Sequence, residues 1–172
     1  MREVYAYSIE CITNISITFS CIVLIGILLD KAESVLIWFL FFLPLRHTTG
    51  GIHASTRLGC FTISIVISVS SILLSPYLSG KLWFIIIGSI LSIVVVFLLA
   101  PVIHHNHPVP KQRLQKIKKT ARVIVLIETG LLIIFVINDY YNAASTAMIA
   151  MLAATVSTLL GYMEQKYKPT YK

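Results

Sequence analysis

Cysteine and histidine together can supply a nucleophile and its base near neutral pH, and His53 and Cys60 stand seven positions apart in the segment RHTTGGIHASTRLGC, residues 46–60. The thiolate is the reactive form, and a free cysteine has a pKa near about 8.5, so Cys60 needs a base or a positive field to attack a carbonyl at neutral pH. His53 would take the thiol proton and later return it to a leaving amine. Gly59 precedes Cys60 and Phe61 opens a long apolar run. A helix starting near Gly59 would turn its positive end toward the thiolate, and Arg57 would add charge. In one straight helix residues seven apart share a face but lie about 10 Å apart along the axis, beyond hydrogen-bond reach. A direct dyad therefore requires a non-helical or bent stretch between His53 and Cys60. Gly59 is the expected break, with Gly50 and Gly51 freeing the chain upstream; otherwise a water or a substrate group relays the proton. The alternative without catalysis makes Cys60 a small buried residue and His53 an interfacial one.

Other polar residues admit two uses each. Arg46 offers a bidentate fork to a substrate carboxylate, or caps a membrane helix at the interface. His47 is a second base or an interfacial side chain. Glu128 lies inside an apolar run, where an ionisable group is costly and usually placed for a reason. It would orient His53, pair with Arg46 or Arg57, or face a polar seam. His104, His105 and His107 precede a basic stretch, KQRLQKIKKTAR. With no cysteine or carboxylate nearby, and with Asn106, Pro108 and Pro110 among them, they read as an interfacial loop, and no metal or other cofactor is expected. The basic stretch itself reads as an anchor to anionic lipid or as a surface for an acidic peptide.

The elements that must position these residues lie in lipid. Of 172 residues 57% are hydrophobic and 12% charged, with a mean hydropathy of +0.86, a balance that excludes an ordinary soluble domain. Apolar runs cover residues 12–29, 35–45, 61–78, 82–103, 123–137 and 143–163. An all-α, polytopic bundle of about six spans forming a single integral membrane domain is expected. The runs 35–45 and 123–137 are short of the roughly 20 residues a span needs, so the alternative is four spans with these two re-entrant. Pro44 near the end of the second run, followed by Gly50 and Gly51, predicts that the helix stops and the backbone bends as it leaves the apolar zone. The first run lacks a convincing cleavage site and reads as a retained helix. Cys11 and Cys21, about 15 Å apart along such a helix, are too distant for a disulfide within it.

With six crossings and a cytoplasmic N-terminus, Arg2, Arg46, Arg57, Lys111, Arg113, Lys116, Lys118, Lys119, Arg122, Lys166, Lys168 and Lys172 fall inside, leaving Lys31 and Lys81 outside. Both termini and residues 46–60 are then cytoplasmic, and the net charge of +7 reflects topology and contact with membrane lipids. Nucleic acid is not an expected partner, since no basic and aromatic recognition pattern stands out. In the last run, Ala143 with Ala147, Ala150 with Ala154 and Ser157 with Gly161 place small residues four apart, a face for close helix approach within the chain or in a homodimer.

The combination of Arg46, Gly50, Gly51, His53, Ala54 and Cys60 just ahead of an apolar run resembles the signature of the accessory gene regulator B family, membrane peptidases of Gram-positive quorum sensing. The resemblance implies a cysteine endopeptidase in a Gram-positive cell membrane, acting on an AgrD-like propeptide. Cys60 would be the nucleophile and His53 the general base and acid. The retained part of the propeptide would be held as a thioester, then cyclised to a thiolactone or lactone. Two other classes compete: a small peptide exporter, which would need polar faces along several spans, and a catalytically silent scaffold, in which Cys60 would tolerate alanine.

Overall fold

The computed structural model of the chain describes residues 2–51, 57–102 and 110–167. These form six helices: α1 (Arg2–Leu28), α2 (Ala32–Thr49), α3 (Arg57–Leu78), α4 (Leu82–Leu99), α5 (Lys111–Ile137) and α6 (Tyr141–Tyr167). Short turns join α1 to α2, α3 to α4 and α5 to α6. Each carries one residue in the left-handed region, Asp30 at φ 54°, Gly80 at φ 76° and Asp139 at φ 60°. Asp and Gly are residue types that reach this conformation at low cost, which lets each pair of helices reverse within a few residues.

Among the described residues, four stretches are long and apolar enough to cross a membrane: Phe61–Leu78, Leu82–Leu99, Gln112–Ile137 and Tyr141–Tyr167. These several apolar helices fit a multi-pass membrane protein. Leu28, Leu98 and Ile137 are more than 70% exposed, as suits side chains with lipid beside them. The run 123–137 is not a re-entrant piece. It is the apolar part of α5, one unbroken helix that begins twelve residues earlier, at Lys111. The short run 35–45 is likewise the middle of an unbroken 18-residue helix, and α2 keeps seven residues buried, among them Trp38, Phe41 and Leu45.

The second helix stops at the glycine pair, as expected, with Thr49 its last residue and Gly50 its C-cap, and Pro44 is carried inside it. A proline leaves an upstream carbonyl without its amide but does not prevent later turns. Here the Thr48 hydroxyl donates to the Pro44 carbonyl at 2.9 Å and steadies the turn that follows.

Helix α6 is the axis of the bundle. More than half of its apolar stretch is buried, 56%, against 22% for α3 and α5 and 33% for α4. Ala144, Ala147, Ala150 and Ala154 are fully buried within the chain, so the small-residue face is the seat for α2, α4 and α3. Hydroxyl bonds fasten the same helix at several depths: Ser145 donates to the Ser75 carbonyl at 2.8 Å, Thr155 to Ser92 at 3.1 Å, and Thr158 and Thr49 share a 2.8 Å bond.

Candidate active site

At the end where α2 finishes, Arg46, Gly50 and Gly51 are one structure. The Gly50 amide donates to the Arg46 carbonyl at 3.2 Å, and the Arg46 guanidinium donates back, from Nη1, to the Gly50 carbonyl. Arg46 thus braces the turn that ends its own helix. A second brace comes from the connector after α4, where the Val102 amide donates to the Thr49 carbonyl at 2.8 Å and Gly50 pairs with Val102 in an isolated parallel bridge. Beneath both, the fully buried Thr49 hydroxyl meets Thr158 of α6.

Both glycines are required by this packing. Gly50 has φ +73°, and a Cβ there would run into the Val102 carbonyl. Gly51 has φ +141°, and its Cβ would strike the Arg46 guanidinium and come within 2.6 Å of the Ser157 carbonyl. The sequence drew attention to Arg46, Gly50 and Gly51 but not to Thr49, Val102, Ser157 and Thr158, which hold them. The one trace of these partners was the small pair Ser157 and Gly161, read as a site of close helix approach.

Helix α3 starts at Arg57, so Gly59 is not a break. It lies with Cys60 inside the first turn. His53 is outside the described residues, as are His104, His105 and His107, and of the Arg57 and Cys60 side chains nothing is described. Glu128 is 4% exposed on the inward stripe of α5, with Ala121, Val125 and Leu132, and neither carboxyl oxygen has a hydrogen-bond partner among the described residues. Arg122, almost two turns earlier, sits 4.9 Å above the Phe97 ring and donates to the Phe97 carbonyl at 3.1 Å.

Between α2, α3 and α6 opens a cleft of about 490 Å³. Its walls are mainly apolar, Trp38, Phe42, Ile63, Ile67, Leu152 and Val156 among them, with Arg46, Ser64 and Ser157 as polar contributions. Register links it to the candidate nucleophile, because positions 60, 64 and 67 follow the i, i+4, i+7 spacing of one helix face. The arrangement offers an apolar hollow one turn from a cysteine position, beside a rigidly held turn carrying an arginine.

The family model for accessory gene regulator B matches residues 1–159. The chain belongs to this family. An AgrB-like protein of Clostridium perfringens is 29% identical over 123 residues, covering 72% of this chain and 66% of that relative. Another, from Clostridium beijerinckii, is 30% identical over 157 residues, covering 90% of this chain and 75% of the relative. No solved structure matches. Membership in the AgrB family supports involvement in the accessory gene regulator quorum-sensing system and, in general terms, a relationship with an AgrD-type propeptide.

Proposed function

We propose that this AgrB-family chain is a membrane cysteine endopeptidase that cuts an AgrD-like propeptide through Cys60 and prepares it for cyclisation. The observation that carries the reading is the position of Cys60 in the first turn of α3, one turn ahead of the Ser64 wall of the cleft and nine residues after the braced Gly50–Gly51 turn. The positive end of the helix dipole at that first turn favours a thiolate. His53 takes the thiol proton, and the Cys60 sulfur attacks the carbonyl carbon at the scissile bond. The carbon–nitrogen bond breaks, His53 protonates the leaving amine, and the C-terminal fragment departs. The retained peptide is then a thioester on Cys60. A cysteine or serine of the peptide attacks that carbonyl, forms the thiolactone or lactone, and returns the Cys60 thiol. Holding the acyl group as a thioester keeps it activated for ring closure, and an apolar cleft disfavours the competing attack by water.

In this reading the basic ends of the helices face the cytoplasm of a Gram-positive cell, Glu128 and Arg57 support the site, and Arg46 positions the turn that leads into the catalytic segment. The test is mass spectrometry of membranes carrying the parent, Cys60→Ala or His53→Ala, each incubated with the propeptide encoded beside its gene. Fragment release and an adduct on Cys60 in the parent alone support the peptidase. Equal processing by Cys60→Ala removes the nucleophile assignment.

A further inference from the structure

Resting on the peptidase reading, we infer that the α2/α3/α6 cleft is the subsite for the large apolar side chain of the peptide residue whose carbonyl Cys60 attacks. Distance comes first. Ser64 is four residues along α3 from Cys60, about 6 Å of helix rise, and Ile67 is one turn deeper. A residue acylated on Cys60 carries its side chain on the carbon next to the thioester carbonyl, so this side chain is the part of the substrate that reaches the wall. The leaving fragment is not tethered to Cys60 and has no such constraint.

Chemistry selects the occupant. The walls supplied by Trp38, Phe42, Ile67 and Val156 suit an aliphatic or aromatic group, and about 490 Å³ lies within the range of sites that enclose small ligands. A lipid acyl chain would fill the same apolar space. What favours a peptide is Trp38: it is 2% exposed, lines the cleft, and its indole N–H has no hydrogen-bond partner among the described residues. A buried indole N–H usually finds an acceptor. The retained peptide continues upstream from the acylated residue, and its preceding residues bring backbone carbonyls into the cleft toward Trp38, whereas an acyl chain brings none. Ala153 and Ser157 of α6, both small, leave the cleft its width.

Two measurements on the full-length protein in membranes test the assignment. In the first, Cys60→Ala, which holds substrate without cutting it, is photo-cross-linked to the propeptide carrying benzoyl-phenylalanine immediately before the scissile bond. Cross-links mapping to Ile67, Leu152 or Val156 are expected. Cross-links confined to other helices or to lipid overturn the subsite, while the peptidase reading stands or falls separately on whether the parent cleaves. In the second, the residue before the scissile bond is set to Ala, Leu or Phe, and fragment release is timed. The parent should prefer Leu or Phe over Ala by about 10-fold to 200-fold, the discrimination apolar pockets achieve, and Ala153→Phe should remove or reverse that preference. Trp38→Phe, which keeps a ring and removes the N–H, is the gentler variant and should raise KM while leaving kcat nearly constant. Active parent enzyme without side-chain preference, or a preference unchanged in Ala153→Phe, refutes the subsite.

Discussion

At the scale of residues, Gly51 is the most constrained position in the candidate site. Its Cβ would meet both the Arg46 guanidinium and the Ser157 carbonyl, and its φ of +141° strains any other residue. Gly51→Ala should therefore lower thermal stability by about 1–3 kcal/mol, the cost of a held backbone outlier, and reduce propeptide cleavage together with it. Thermal unfolding of the purified protein in detergent, with cleavage measured in parallel, checks both. Thr158→Val removes the bond to Thr49 under the same turn and should cost less, about 0.6–1.7 kcal/mol, as other hydroxyl pairs between membrane helices do. Cleavage by Thr158→Val should fall by no more than its stability accounts for, since Thr158 is a support of the turn. The residues the sequence drew attention to were those with unusual chemistry or backbone freedom, Cys60, His53, Arg46 and the glycine pair, and of these Arg46, Gly50 and Gly51 come together in one turn. Thr49, Val102 and Thr158 were not, because a threonine or valine gains its role from whichever helix end folds against it.

At the scale of elements, α6 is the helix whose substitution should matter most. Ala147 and Ala154 are fully buried at its seams, whereas Val156 on the same helix is 48% exposed. Ala154→Leu adds three carbons to a packed contact and should destabilise by about 1–3 kcal/mol, the ordinary cost of overpacking. Ala154→Leu should reveal itself as a lower midpoint in thermal unfolding, with the Leu82→Ala control on an exposed part of α4 near the parent value. The sequence showed the small-residue periodicity of this helix but not the identity of its neighbours. Packing against α2, α3 and α4 now accounts for that face without a second copy of the chain. The helix ends were the least legible. Pro44 sits inside α2 and not at its end, and the upstream half of α5 is polar enough to have hidden its continuity with the apolar run.

At the scale of the whole molecule, the alternation of six helices gathers the three short turns at one end and the long connectors at the other. Contacts between Gly50 and Val102, and between Ser145 and Ser75, tie opposite ends of the bundle in agreement with this alternation. If the basic end is cytoplasmic, Lys31→Cys and Lys81→Cys should react with an impermeant maleimide in intact cells, and Arg113→Cys only after permeabilisation. Labelling in the reverse pattern would invert the topology. The exporter alternative gains little from the interior. Ser68, Ser75, Ser92, Ser145 and Thr158 do form polar faces on α3, α4 and α6, yet all are fully buried in side-chain packing.

The sequence by itself determined the solvent, the number of apolar runs, the charge asymmetry and the segment able to carry chemistry, since these depend on composition and spacing along one chain. Only the tertiary structure decided that α2 is an interior helix, that Arg46 fastens a turn, and that an apolar cleft begins one turn beyond Cys60. The first and last depend on side chains more than a dozen residues apart meeting, and the Arg46 turn, although local, is seated against Val102 and Thr158; the geometry of such meetings is fixed by packing and not by any local pattern.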